Sequence, residues 1–170
     1  LLYRVIALHN KKTNSFNLNE FEIISNDPVV CRVDGNVYKE DNLYTAEINT
    51  KSSEIAQLSE IRMIVSNVLQ FMFNNSNTGL VVEGRDMGSV VFKNADLKIY
   101  LDASEVTRSE RRIAQSGNKE SVEDLRARDS RDINRKISPL IIPDDAIVIN
   151  NENKSINEVI QIIKENLKLQ

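Results

Sequence analysis

Three short apolar runs limit the fold of this chain more than any other feature: GLVVE (79–83), DLKIYLDA (96–103) and DAIVIN (145–150). Each is too short for a packed helix. Runs of this kind suit strands covered on both sides, as in a parallel sheet between helices. Two charged segments with helical spacing, roughly 104–116 and 119–137, separate the second run from the third. After the third, Ser155 and Glu158 form a capping box ahead of Ile156, Val159, Ile160, Ile163 and Leu167, which predicts a final amphipathic helix. Strand, helix and strand in succession predict an α/β domain.

The first third of the chain reads differently. Leu1, Leu2, Val5, Ile6 and Leu8 fit the end of an amphipathic helix within 1–11. From about residue 14 to 52 the texture is β-rich, with FEIIS, VVCRVDGNVY and LYTAEIN as short runs and Asp34-Gly35-Asn36 as a hairpin signal. This predicts a small antiparallel insert. Helical periodicity returns after Ser53 through Ile55, Leu58, Ile61, Val65, Val68, Leu69 and Met72, and NNSNTG (74–79) is a turn cluster. The 170 residues are read as one domain with that insert. Cys31, the one cysteine, excludes a disulfide framework and is expected in a buried strand; His9, the one histidine, is expected on the surface or satisfied near a helix end. A net charge of -3 argues against a general nucleic-acid or membrane binder, and no run is long and apolar enough to span a bilayer.

Charge is nevertheless concentrated. In VVEGRDMGSVVF (81–92), Glu83, Arg85 and Asp86 interrupt an apolar stretch just after the first predicted strand, at the sheet edge where such folds bind ligands. Seven of eleven arginines fall between Arg108 and Arg135. Arg108, Arg111 and Arg112 share one helix face, and Arg128, Arg131 and Arg135 share another. Solvated faces with salt bridges to Glu105, Glu110, Asp129 and Asp132 would explain the spacing alone. The choice of arginine over lysine there favours a planar fork for phosphate oxygens. RNA is a weaker explanation, because aromatic interleaving is missing.

GLVVEGRDMGSVVF, ADLKIYLDAS with RSERR, RDSRDINRKISPL and DDAIVINNENKSINEVI, with YRVIAL and SSEIAQLSEIR before them, resemble bacterial cytidylate kinases of the P-loop nucleoside monophosphate kinase superfamily. The likeness runs through nearly the whole chain in the family's order. It implies a parallel sheet flanked by helices, a β-rich CMP-binding insert (14–52) and an arginine-rich helical lid (104–137). The implied activity is transfer of the γ-phosphoryl of ATP to CMP or dCMP with Mg²⁺, in the cytoplasm, by a monomer that binds neither nucleic acid nor membrane. By position, the resemblance assigns Ser53, Arg62 and Asp86 to the cytosine ring, Arg4, Arg85 and Arg135 to the CMP phosphate, and Arg128 and Asp132 to the ribose hydroxyls. Arg108, Arg111, Arg112 and Arg131 fall in or beside the lid, as catalytic groups at the transferring phosphates, and Glu83 would hold Mg²⁺ through water. The family's first strand and its Gly-rich phosphate loop have no counterpart here, and G-x-x-x-x-G-K-[ST] occurs nowhere. The resemblance therefore implies an N-terminally incomplete kinase domain, inactive alone. A reading of a different class is a non-catalytic nucleotide-binding remnant.

Overall fold

The structure is a computed structural model and describes residues 1–16, 20–26, 29–39, 42–116 and 121–167. Parts of the predicted insert (17–19, 27–28, 40–41) and of the predicted lid (117–120) lie outside the described residues. The chain forms two compact units, Leu1–Val82 with Arg126–Ile137, and Glu83–Leu125 with Ser138–Gln170.

The first unit is built around α1 (Leu2–Thr13), which buries Leu2, Val5, Ile6, Leu8 and also the polar Arg4 and His9. Asn14 ends it with a left-handed φ of 54° and an N–H bonded to the Asn10 carbonyl. Next come β1 (Phe21–Asn26), β2 (Val29–Val33) and β3 (Asn36–Lys39), an antiparallel sheet in that order. The predicted hairpin signal is its second turn: Asp34 (φ 45°) and Gly35 (φ 77°) both take left-handed conformations, which matches the strand twist and sets Val33 opposite Asn36. Cys31, Val33 and Tyr38 point into the core, and burial pushes the Cys31 thiol up.

LYTAEIN (43–49) was expected in a strand and is not one. Thr45 accepts a hydrogen bond from the Ile48 N–H and caps α2 (Ala46–Ile55), so the β-rich part of the insert ends before residue 46. The cap competes with extension, and burial of Ile48 and Ile55 on one helical face decides the outcome. The periodicity expected to run on from Ser53 divides here. Residues 56–58 turn, and α3 (Ser59–Asn74) begins anew, burying Ile61, Val65 and Leu69. Both α2 and α3 pack on α1.

In the second unit, β4 (Ile99–Asp102) and β5 (Ile147–Asn150) pair in parallel, from Ile99 opposite Ile147 to Asp102 opposite Asn150. The helices are α4 (Glu105–Ser116), α5 (Val122–Asn134), which passes from this unit to the first at Leu125, and α6 (Ile156–Leu167). The expected strand at 79–83 does not form: these residues have no ladder partner among the described residues, and Val81 is fully exposed. An apolar run becomes a strand only when a neighbour accepts its N–H groups. Met87–Val91 instead makes one π-helical turn, with the Val91 N–H bonded to the Asp86 carbonyl and the Phe92 N–H to that of Met87. Among the described residues no helix is long and apolar enough to cross a membrane.

Candidate functional site

The two units divide the predicted residues. Arg4, Ser53, Arg62, Arg128, Arg131, Asp132 and Arg135 belong to the first; Glu83, Arg85, Asp86, Arg108, Arg111 and Arg112 belong to the second.

In the first unit Arg4, Arg62 and Arg135 are buried, which is costly unless each guanidinium is hydrogen-bonded. Arg4 on α1 donates from Nη1 to the Leu43 carbonyl at 3.1 Å and lies 4.6 Å from the centre of the Tyr44 ring. Arg62 on α3 donates from Nη1 to the Ala56 carbonyl at 2.7 Å and lies 5.6 Å from the centre of the Tyr3 ring. Tyr3 and Arg4 are neighbours on α1, so that helix anchors both cations. Arg135 pairs with Asp132 at 3.3 Å, and both are buried. Ser53, near the end of α2, is also buried, and its Oγ has no hydrogen-bond partner among the described residues. A buried hydroxyl in that state is an exception that calls for water or a ligand. Arg131 folds back, its Nε donating to the Ala127 carbonyl of its own helix.

His9 is satisfied rather than free, in keeping with one of the two expected outcomes. Its Nδ1 lies 2.8 Å from the Tyr38 hydroxyl and its Nε2 lies 3.8 Å from Asp34, which joins α1 to the hairpin. Burial, and next the Asp34 charge, push the Tyr38 hydroxyl up. A groove between α1 and α2, lined by Ala7, Lys11, Ile48 and Lys51 among others, contains none of the candidate residues.

In the second unit Glu83 and Arg85 are exposed, while Asp86, at the start of the π turn, is only 3% exposed. Lys98 approaches both carboxylate oxygens of Asp145 at 2.8 and 2.7 Å; this hydrogen bond holds the Asp145 carboxyl below its ordinary range. The α4 arginines are engaged close to home. Arg108 donates to the Ala103 carbonyl at 3.0 Å. Arg111 donates from Nη1 to the Asn151 side-chain oxygen, and from Nη2 to the carbonyls of Asn151 and Glu152.

The sequence reading missed Glu152. Its carboxylate accepts from the Ser104 N–H at 3.1 Å, from the Ser104 hydroxyl, and from the Thr107 hydroxyl at 2.8 Å. The Ser104 and then the Thr107 hydroxyl hold this carboxyl below the ordinary glutamate range. Ser104-x-x-Thr107 ahead of a helix is a visible capping pattern, but its acceptor lies 48 residues away from Ser104. Tyr3 and Tyr44 were missed for a similar reason, since only packing sets an aromatic ring against a chosen guanidinium.

Among the described residues no three His, Cys, Asp or Glu side chains gather as a metal site. Mg²⁺ on a nucleotide asks for less, one or two carboxylates with water and phosphate oxygens completing the shell. The exposed Glu83 carboxylate fits that requirement.

A sequence model of the family described as cytidylate kinase matches residues 1–169. The chain is 37% identical over 123 residues to "Cytidylate kinase 1" of Haemophilus influenzae, an alignment covering 68% of this chain and 52% of that protein. It is 34% identical over 185 residues to the cytidylate kinase of Thermotoga neapolitana, covering 98% of this chain and 83% of that protein. With the cytidylate kinase of Nitrosococcus oceani it shares 41% identity over 128 residues, covering 71% of this chain and 56% of the relative. The matches thus span from about half to four fifths of these relatives' lengths. With a family match over almost every residue and an arginine-rich pattern placed largely on buried or bonded side chains, the chain belongs to the cytidylate kinase family.

Proposed function

We infer that the complete protein is an ATP-dependent kinase of CMP or dCMP, working in the cytoplasm as a monomer and forming CDP or dCDP. The observation that carries this reading is the buried Ser53 hydroxyl, without a hydrogen-bond partner among the described residues, in the same unit as the buried Arg62. Cytosine offers acceptors at O2 and N3 and an amino donor at N4. Ser53 and Arg62 suit the acceptors, and the Asp86 carboxylate suits the amino group. Uracil carries a carbonyl in place of that amino group, so Asp86 disfavours UMP. Arg4, Arg85 and Arg135 are the arginines proposed for the CMP phosphate, and Arg128 and Asp132 for the ribose hydroxyls. Arg108, Arg112 and Arg131 supply positive charge near the transferring phosphoryl. Such a transfer depends on positioning and electrostatics more than on a nucleophilic side chain, and these arginines serve both.

Glu83 would hold Mg²⁺ through water. Bound there with ATP, the ion would supply positive charge against the phosphate oxygens. Glu83 would provide the negative charge that holds it.

The test is ADP formation by the complete gene product from ATP, Mg²⁺ and CMP, dCMP or UMP, with wild type and Asp86→Asn. Loss of the charged acceptor costs on the order of 1.5–3 kcal/mol, and the expected loss falls on CMP far more than on UMP. Equal losses would remove the base-reading role from Asp86. Nucleotide binding without turnover would favour the non-catalytic reading.

A further inference from the structure

We propose that Arg111 is a positioning residue rather than a phosphate ligand, and that Glu152 is its counterpart in a two-way lock between the root of α4 and the turn from β5 to α6. The proposal rests on the kinase reading above only for its kinetic consequences.

The lock runs in both directions. From α4 and its cap, the Ser104 N–H and the Ser104 and Thr107 hydroxyls donate to the Glu152 carboxylate. One turn further along, Arg111 donates back to the same turn, with Nη1 to the Asn151 side chain at 3.0 Å and Nη2 to the carbonyls of Asn151 at 2.8 Å and Glu152 at 3.1 Å. The turn itself is pinned. The Glu152 N–H donates to the Asn150 side chain, and the Asn151 N–H to the Asp102 carbonyl at the end of β4.

Guanidinium grips phosphate through two parallel N–H groups on one edge. Both such edges of arginine include Nη2, and here Nη2 already serves two carbonyl oxygens. Arg111 could hold a phosphate in this way only by releasing the turn. Arg108, bonded to the Ala103 carbonyl, belongs to the same fixed root. The first two turns of α4 therefore act as part of the frame, and closure over a bound nucleotide has to begin beyond Arg111. Glu152 contributes to catalysis without touching substrate, by holding the helix that carries Arg112.

The experiment uses the complete gene product, with Glu152→Ala, Glu152→Gln, Arg111→Ala and the Glu152→Ala/Arg111→Ala double variant. Amide hydrogen exchange across 104–111 and separate kcat and KM values are measured. Loss of an end-of-helix partner is expected to speed exchange across 104–111 by about five- to ten-fold in either alanine variant. Glu152→Gln keeps an acceptor oxygen and regains part of the protection. Both alanine variants lower kcat to a similar extent, with KM for CMP within about two-fold of wild type, and the double variant is no worse than the more damaged single one, because the two residues act as one unit. A drop of about 10²-fold or more in kcat for Arg111→Ala, with Glu152→Ala left near wild type, is the mark of a charge-stabilising ligand and overturns the proposal. Additive losses in the double variant also overturn it. If the wild-type protein transfers no phosphoryl group, the kinase reading fails separately and exchange decides the lock: faster exchange in both alanine variants upholds it, and unchanged exchange removes it.

Discussion

Helices α1 and α6 have the same length and both carry helical apolar spacing, yet they end in opposite environments. α1 buries seven residues, two of them polar, and holds α2, α3 and the hairpin around it. α6 buries none, and Ile156 is 80% exposed. The same contrast separates the units. The first encloses Val5, Ile6, Cys31, Val33, Tyr38, Leu43, Ile55 and Ile61 almost completely. In the second, among the described residues, only Ala103 and Ile149 are buried apolar residues, and hydrogen bonds to Glu152, Asn151 and Asp145 link the elements. An apolar stripe states which face a helix would bury. Whether that face is covered depends on what else folds against it. The first unit is held by packing, and the second, as described here, by polar contacts that water can contest.

The largest expected effect breaks this comparison most directly. Ile6→Ala, at a site 1% exposed, opens a cavity in the packed unit and should cost about 2–5 kcal/mol in urea unfolding. Val148→Ala, at a site 52% exposed on β5, should stay within about 1 kcal/mol. Similar losses at the two sites would show that the second unit has a core of its own.

A smaller effect is expected at the hairpin. Gly35 has a φ of 77° and open space where a Cβ would stand, so Gly35→Ala adds backbone strain without a clash. The expected loss is about 1–2 kcal/mol, read as a lowered denaturation midpoint with an unchanged slope. A neutral result would mean that the turn relaxes to another geometry.

The smallest effect is local and depends on pH. Glu152 is held below its ordinary range mainly by Ser104, and Glu158 mainly by Ser155. A carboxyl whose folded pKa is depressed contributes stability above its unfolded value, about 4.3 for glutamate, and loses it as pH falls through the folded value. Acidification from pH 6 through that window should therefore loosen the starts of α4 and α6 first, while α1 and the hairpin keep their protection. Residue-resolved amide exchange checks the order, and earlier opening of α1 would reverse it.

Much of the local structure was legible in the residues. The Ser155–Glu158 capping box forms as expected, with the Glu158 N–H on the Ser155 hydroxyl and the Ser155 N–H on the Glu158 carboxylate. The Asp34-Gly35 turn, the α1 stripe and the helix at 104–116 were readable in the same way, and the segment expected over 119–137 is helical over Val122–Asn134. All of these depend on side chains within about four positions of each other, where spacing and stereochemistry suffice. Among the candidate residues, the identity of Ser53, Arg62 and Asp86 was legible, but their burial was not.

The sequence by itself determined the family, the Ser155–Glu158 cap, the Asp34-Gly35 turn, and which residues carry charge. Tertiary structure alone decided that 43–49 belongs to a turn and a capped helix, that 79–83 stays without a ladder, and that Arg111 faces Asn151 and Glu152. The physical reason is that a strand pairing, a buried hydroxyl or a carboxylate placed 48 residues from its donor exists only after the chain has closed. The closing depends on all of the packing at once, and no window of neighbouring residues contains it.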